Sequence, residues 1–140
     1  MGAQLLRAHY AFDPRRFMAP RPDAEEGYAG FLGTQLEEPD SLVLVAAHDD
    51  RVVGYAYAAM EPLSWKELRD AAGFIHDVYV DEDARGSGVG GALVEECVRW
   101  LAGRGAPRVL LWTAAPNAAA QRLFERLGFR QTMIEMTREV

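Results

Sequence analysis

A cluster of glycines between two apolar segments constrains the fold more than any other feature of this sequence. The residues DEDARGSGVGG (81–91) stand between FIHDVYV, which has the pattern of a buried strand, and ALVEECVRWLA, which has the pattern of a helix. Each glycine in or at the start of a helix gives up about 0.5–1 kcal/mol relative to alanine, so four glycines in six positions need a backbone reason. The segment therefore predicts a strand and a tight glycine turn that opens a helix.

The predicted turn has the properties of an anion site. A glycine turn at the start of a helix exposes several N–H groups at the positive end of the helix dipole, and Arg85 adds a further positive charge. We therefore expect a phosphate or pyrophosphate group to bind here. The candidate binding residues are Arg85, Gly86, Ser87, Gly88, Val89, Gly90 and Gly91.

Two common nucleotide motifs fit this turn poorly. The spacing Gly86-x-Gly88-x-x-Gly91 matches the dinucleotide fingerprint, but five residues separate the strand from the first glycine. The segment about 20 residues further on, RVLLWTAA, contains no acid that could bind a ribose. A Walker-type loop is excluded because no Gly-Lys-Ser/Thr occurs.

The remaining patterns predict the order of elements. We expect helices over 3–12, 24–37, 88–103 and 118–127, and strands over 41–47, 52–60, 74–80, 108–114 and 131–139. An antiparallel first half that passes into a β-α-β second half indicates an α/β fold with a mixed sheet and helices on its faces. A length of 140 residues predicts one domain, residues 1–140.

The amino-acid composition limits the classes of partner and compartment that we expect. The net charge of −6 argues against a nucleic-acid surface. No apolar run approaches the roughly 18–20 residues of a membrane helix, and the start of the chain lacks the pattern of a signal peptide, so we expect a cytoplasmic protein that does not bind membranes. The single cysteine, Cys97, excludes an internal disulfide and a cysteine-rich metal site, and we expect no metal.

Two ordered motifs resemble the GNAT superfamily of acetyl-CoA-dependent N-acetyltransferases. Arg85-x-x-Gly88-x-Gly90, preceded by Val78-Tyr79-Val80, is similar to the coenzyme A signature of that family. Residues Asn117, Ala120, Leu123-Phe124 and Leu127-Gly128-Phe129 are similar to its pattern Asn-x-x-Ala-x-x-Leu-Tyr-x-x-x-Gly-Phe, except that Phe124 stands where the pattern has tyrosine. Together the motifs cover about residues 74–130.

The resemblance implies a fold and a cofactor site. It implies a mostly antiparallel sheet with helices on both faces, splayed between the two strands that flank the glycine-loop helix. It implies that acetyl-CoA binds with its pyrophosphate at residues 86–91 and its pantetheine arm along the strand segment Val78, Tyr79 and Val80. A backbone N–H near Val80 would stabilise the developing oxyanion, and Asn117 and Phe124 would lie beside the cofactor.

The reaction that the resemblance implies is direct attack of a primary amine on the acetyl thioester, and it needs a route for the ammonium proton. His76 has a suitable ordinary pKa, and strand alternation places it on the same face as Val78 and Val80. Glu61, at the end of the preceding strand, is a second candidate that would act through water, whereas alternation turns Asp77 to the opposite face. The choice between His76 and Glu61 stays open.

Phe124 leaves a second function open. In many family members the tyrosine hydroxyl at this position protonates the leaving thiolate, and phenylalanine has no hydroxyl. Water or Tyr79 could supply the proton. The alternative is a protein of the same fold that binds acetyl-CoA without rapid chemistry, as a sensor or an assembly module.

The acceptor and the assembly state are less constrained. Small-molecule amines and protein or peptide amines both fit, and Tyr28 and Phe31 on the second helix are candidates for the acceptor pocket. Family members usually open with a strand that this sequence does not show before Leu5, so the strand over 41–47 would have an exposed edge. Either the chain begins further upstream, or a second subunit covers this edge, and on the second ground we expect a homodimer.

Overall fold

The computed structural model describes residues 1–140 and contains four helices and four strands. A single turn of 3-10 helix, Glu82–Ala84, leads into the glycine loop. In chain order the elements are α1 (Gly2–Phe12), α2 (Ala24–Glu37), β1 (Ser41–His48), β2 (Arg51–Glu61), β3 (Ala72–Val80), α3 (Val89–Gly103), β4 (Val109–Leu111) and α4 (Ala118–Arg126).

The sheet is mixed and mostly antiparallel, as the sequence predicts. Its strand order is β1-β2-β3-β4, with antiparallel pairing of β1 with β2 and of β2 with β3, and parallel pairing of β3 with β4. The parallel pairing joins only Gly73–Ile75 to Val109–Leu111, although β3 continues to Val80. The two strands therefore part beyond Ile75 and Leu111, which confirms the predicted splay.

Alternation along β2 gives the sheet two different faces. Ala56 and Ala58 point toward α3 and belong to the buried core. Tyr55 and Tyr57 point the other way, where their hydroxyls bond to groups on β3 and α2. Helices therefore cover both faces, with α3 on one side and α2 on the other. We call these the α3 face and the α2 face.

The core lies on the α3 face. Small side chains on β2 let α3 approach the sheet closely, and α3 contributes the stripe of apolar side chains expected of an amphipathic helix. The fully or nearly buried members of this core are Ala56, Ala58, Ile75, Leu93, Val94, Cys97, Leu101 and Phe124.

A β-bulge interrupts β3 at His76. Tyr57 of β2 pairs with Asp77, whereas the next residue, Ala58, pairs with Ile75, so His76 is an extra residue on β3. The bulge turns the side chains of both His76 and Asp77 to the α2 face, where they contact Tyr57 and Tyr55 respectively.

The bulge overturns one prediction from simple alternation. Val78 and Val80 pack toward the core on the α3 face. The prediction that His76 shares their face is therefore wrong, because the extra residue shifts the alternation by one position. Asp77 lies opposite Val78 and Val80, as predicted, but on the same face as His76.

The predicted strand over 131–139 is also wrong. These residues adopt no regular structure and take part in none of the backbone hydrogen bonds, and Met133, Ile134 and Met136 are exposed. The segment is held by ion pairs of Arg16 with Glu135 and of Arg15 with Glu139. Local strand propensity fails here because a strand also requires a paired neighbour, and this segment has none.

The strand predicted over 108–114 is present but shorter. β4 ends at Leu111, the last residue that has a partner on β3. None of the helices is long and apolar enough to cross a membrane.

Candidate active site

The glycine loop forms an open cradle of backbone N–H groups. Gly86 and Gly88 have φ values of 78° and 92°, a left-handed conformation that favours glycine. Gly88 caps the start of α3 without any side-chain bond, and no N–H group of residues 86–91 has an acceptor within the chain. These donors lie at the positive end of α3, so the residues present fit the pyrophosphate group predicted from the sequence.

The acidic residues before the loop are largely paired. Arg51 donates to the carboxylate of Asp83 at 2.6 Å, and this bond lowers the pKa of Asp83 from its usual range. Arg85 lies 3.9 Å from the carboxylate of Glu82, and its Nε donates to the carbonyl of Val80 at 2.9 Å. The arginines thus offset acidic charge that would otherwise repel a phosphate.

The other predicted loop residues have structural contacts as well. The hydroxyl of Ser87 donates to the carbonyl of Ala84 at 2.5 Å, which closes the turn. Val89 packs at the edge of the core, and a side chain at Gly90 or Gly91 would point toward Leu123 of α4. The loop is therefore held from both sides while its N–H groups stay open.

The strand segment predicted to bind the pantetheine arm lies beside the splay. Val78, Tyr79 and Val80 follow the last residue of β3 that pairs with β4, so their β4-facing edge has no strand beside it. The Tyr79 ring lies between Tyr55, at 6.4 Å, and the Arg85 guanidinium, at 5.9 Å. An extended ligand could add to this edge as a strand does.

Asn117 and Phe124 have structural roles at α4, the helix that follows β4. The side chain of Asn117 accepts from the N–H of Ala120 at 3.2 Å and caps α4. Phe124 is buried in the core and packs against Phe129 with ring centres 6.0 Å apart. Phe124 therefore supplies packing and offers no proton.

His76 and Glu61 form a direct pair. His76 Nε2 and Glu61 Oε1 are 2.9 Å apart, and the two side chains are 31% and 32% exposed. The His76 ring is stacked between Tyr57 and Phe74, with ring centres 4.9 and 4.6 Å away. The two stacking rings fix the imidazole plane, so that only its edge is open. The two candidates that the sequence left as alternatives are thus brought together, at the level where β3 and β4 part.

Asp77 is the buried centre of a second polar group. Its Oδ2 accepts from Tyr28 at 2.5 Å and from Tyr55 at 3.1 Å. Burial, and after it the nearby Asp77 carboxylate, raises the pKa of both tyrosines well above the usual range, so both remain neutral donors. Asp77 therefore ties α2 to β2 and β3 through its Oδ2.

A cleft of about 300 Å³ opens over this face of the sheet. Its floor includes His76 and Asp77, and one wall is Tyr28. Side chains of α1 and of the following loop form the rest of the wall, namely Leu5, Leu6, His9, Arg16, Phe17 and Met18. Of the two residues predicted as candidates for the acceptor pocket, Tyr28 lines this cleft, whereas Phe31 lies outside the lining and packs against Tyr57 with ring centres 5.7 Å apart.

Sequence reasoning missed the aromatic side chains that surround His76. Tyr57 and Phe74 stack on His76, and Trp112, directly after β4, contacts Phe74. The alternation Tyr55-Ala56-Tyr57-Ala58 is a signal that could have placed both tyrosines on one face of β2. Cys97 lies in the core on the other face, where burial raises the pKa of its thiol to about 12. No group of three His, Cys, Asp or Glu side chains is arranged to hold a metal ion.

Curated proteins related in sequence are named as acetyltransferases. A mycothiol acetyltransferase of Kocuria rhizophila is 35% identical over 96 residues, which cover 68% of this chain and 31% of that protein. An aminoglycoside N(6')-acetyltransferase type 1 of Klebsiella aerogenes is 28% identical over 103 residues, which cover 74% of this chain and 68% of that protein. The match thus spans about a third of the length of the first relative and about two thirds of the second.

Solved structures share the fold. A mutant protein from Bacillus halodurans superposes with a TM-score of 0.79 at 21% identity, over 99% of this chain and 88% of that one. An aminoglycoside N-acetyltransferase solved in complex with CoA gives a TM-score of 0.71 at 19% identity, over 82% of this chain and 87% of that one. A family model described as "Acetyltransferase (GNAT) family" matches residues 4–129. The chain therefore belongs to the GNAT family of acetyltransferases.

Proposed function

We propose that this chain, working as one domain, transfers an acetyl group from acetyl-CoA to the nitrogen of a small-molecule primary amine. The amine attacks directly while both substrates are bound, and the His76–Glu61 pair accepts its proton. The observation that carries this proposal is the 2.9 Å contact of His76 Nε2 with Glu61 Oε1 at the level where β3 and β4 part.

The glycine loop holds acetyl-CoA in this proposal. The unbonded N–H groups of residues 86–91 bind its pyrophosphate, and the open edge of Val78 and Val80 aligns its pantetheine arm. Bound acetyl-CoA supplies the acetyl group: the amine nitrogen bonds to the carbonyl carbon, the carbon–sulfur bond breaks, and CoA leaves as a thiolate that takes up a proton. The Val80 N–H is the proposed donor to the developing oxyanion.

The His76–Glu61 pair removes the proton that the attacking nitrogen must lose. In the tautomer with hydrogen on Nε2, the imidazole donates to Glu61 and keeps a free lone pair on Nδ1. The Glu61 carboxylate then stabilises the imidazolium that forms when Nδ1 takes the proton. Stacking on Tyr57 and Phe74 holds the ring in place, so that little reorientation accompanies the transfer.

The size of the cleft and the names of the related proteins both support a small-molecule acceptor. The cleft over His76 measures about 300 Å³, at the lower end of the range of small-molecule sites. The matched relatives bear the names mycothiol acetyltransferase and aminoglycoside N(6')-acetyltransferase.

A binding module without rapid chemistry is the second candidate. It is favoured by Phe124, which is buried and has no hydroxyl to protonate the leaving thiolate. In the enzyme, the thiolate can leave without a positioned acid because it is a good leaving group. Water then supplies its proton.

The proposal also includes a homodimer through β1. This strand is an edge of the sheet, and Val45 on it is 63% exposed. Solution scattering at micromolar concentration is expected to give the mass of two chains, and the mass of one chain would contradict the dimer.

Thiol release from acetyl-CoA, followed with a thiol reagent over a panel of amines, tests the proposed function. We expect release that depends on the amine and that disappears in Gly88→Glu, which places a carboxylate in the phosphate cradle. Micromolar binding of acetyl-CoA without release for any amine would establish the binding module. Absence of binding would overturn both candidates.

A further inference from the structure

A row of four rings in contact crosses the α2 face of the sheet. We call Trp112, Phe74, His76 and Tyr57 the aromatic band. Adjacent ring centres are 5.1 Å apart from Trp112 to Phe74, 4.6 Å from Phe74 to His76 and 4.9 Å from His76 to Tyr57. The band therefore runs without a gap from the end of β4 to β2, and the proposed proton acceptor is part of it.

Trp112 is the open end of the band. It directly follows Leu111, which pairs with Ile75, so that it stands level with His76 across the start of the splay. It is 70% exposed, whereas Phe74 and Tyr57 are buried. The Trp112 and Phe74 planes are inclined at 86°, so Phe74 does not cover the Trp112 ring as a parallel stack would. A large exposed indole beside a reaction centre is a ready contact for a ligand ring.

Two polar groups on β2 and β3 beside the band make internal hydrogen bonds. The Tyr57 hydroxyl bonds to Gln35 at 2.8 Å, and Asp77 Oδ2 accepts from Tyr28 and Tyr55. The His76–Glu61 pair lies on the band itself and is partly exposed, so a ligand on the band can reach it. A ligand that fits has one basic nitrogen and an otherwise apolar, flat body. A polyhydroxylated amine would bring many hydroxyls to a surface with few free partners.

We propose that Trp112 stacks on the ring of an arylalkylamine acceptor and so selects this substrate class. The inference rests on the proposed function, since the amine nitrogen is placed beside the His76–Glu61 pair. The aliphatic spacer reaches from the indole to that pair, and the Glu61 carboxylate attracts the amine while it is still a cation. Trp112 touches the acceptor and takes no proton.

Phenethylamine, cyclohexylethylamine and glucosamine are the probes. The first two have closely similar length and apolar character but differ in planarity and ring electrons, and the third is an amino sugar. For each we would measure kcat/KM for acetyl transfer. We would also measure the dissociation constant by calorimetry in the presence of CoA, where no transfer can occur. The variants are Trp112→Ala, Trp112→Phe and, as a control, Trp65→Ala.

Trp65→Ala is a matched control for Trp112→Ala. It is also a highly exposed tryptophan, at 84%, but it lies in the connection between β2 and β3 and stacks on no other ring. Trp112→Ala is expected to weaken phenethylamine binding and to lower its kcat/KM by about tenfold, the size of an aromatic contact together with its buried area. Trp112→Phe is expected to recover most of this loss, and Trp65→Ala to change nothing.

The outcomes separate this inference from the proposed function. Preference for phenethylamine over both other probes, lost in Trp112→Ala, supports the inference. Equal or better use of glucosamine or cyclohexylethylamine overturns it and leaves acetyl transfer intact. If no amine is acetylated, the proposed function fails, and the calorimetry still decides whether Trp112 binds the aryl ring. Loss of binding to the same degree in Trp65→Ala would also overturn the inference.

Discussion

The two faces of the sheet are built from different kinds of side chain, although the same strands supply both. On the α3 face, Ala56 and Ala58 let α3 pack closely, and the one titratable group there is the inert thiol of Cys97. On the α2 face, Tyr55 and Tyr57 hold rings and paired polar groups in place. The difference teaches that the apolar core and the proposed site of chemistry lie on opposite faces. Substitutions in the core should change unfolding and leave turnover, whereas substitutions at His76 should change turnover.

The largest expected effect sharpens the comparison on the α2 face. His76→Ala is expected to lower kcat by about 10²–10⁴-fold, the usual contribution of a positioned proton acceptor. Binding of acetyl-CoA should not change, because the cradle lies at residues 86–91. His48→Ala is the matched control, since His48 is an exposed histidine at the end of β1. Equal rates for His76→Ala and the wild type would show that His76 takes no proton.

A substitution in the glycine loop, at the start of α3, should change cofactor binding. Gly88→Glu is expected to raise the dissociation constant for acetyl-CoA by about 100-fold, because each lost hydrogen bond to a charged group is worth about 1.5–3 kcal/mol. Calorimetry measures this change.

Gly105→Glu controls for backbone strain in this experiment. Gly105 has a φ of 83°, follows the opposite end of α3, and would place its new side chain in open space. A loss of binding in Gly105→Glu as large as that in Gly88→Glu would mean that strain, and not the cradle, explains the effect.

A substitution in the core on the α3 face is expected to lower stability and to leave turnover unchanged. Leu101 is fully buried and lies against Gly73, where a Cβ would come within 2.9 Å of it. Leu101→Ala should lower the free energy of unfolding by about 2–5 kcal/mol through the cavity it leaves. The kcat of the folded fraction should stay within about twofold of the wild type. Denaturant unfolding gives the first quantity, and a large fall in kcat would show that the two faces are coupled.

The smallest expected effect concerns Asp77. Tyr55→Phe removes one of its two donors and should cost about 1–3 kcal/mol of unfolding free energy at neutral pH, because a buried acceptor loses a partner. Tyr28→Phe is the companion variant, since it removes the other donor.

The same tyrosines give stability a defined pH dependence. Folding raises the pKa of Tyr28 and Tyr55, so above about pH 10 the unfolded chain loses protons that the native state keeps. The contribution of these tyrosines to stability is therefore expected to be complete below about pH 10 and to be lost as the pH rises further. The fall should be shallower in Tyr55→Phe, and an unchanged slope in thermal unfolding would argue against the network.

The parts of the fold and of the candidate site that could be predicted from the sequence are those encoded by adjacent residues. The glycine loop and α3 are encoded by adjacent residues, and the helix predicted over 88–103 lies within one residue of Val89–Gly103. The open N–H groups of residues 86–91 could be predicted for the same reason, since they belong to one turn.

The pairing of His76 with Glu61 could not be predicted in this way. These residues are 15 positions apart and meet through the register of β2 and β3 and through the bulge, which no local pattern marks. The predicted strand over 131–139 failed for a related reason, because pairing depends on a neighbour that the segment itself does not encode.

The central claim is that His76 and Glu61 act as one proton-accepting unit. A double-mutant cycle of His76→Ala and Glu61→Ala, measured on kcat at saturating acetyl-CoA, tests it most directly. We predict that each single variant is slow and that the double variant is no slower than His76→Ala alone. Losses that multiply, or a wild-type rate in His76→Ala, would contradict the account.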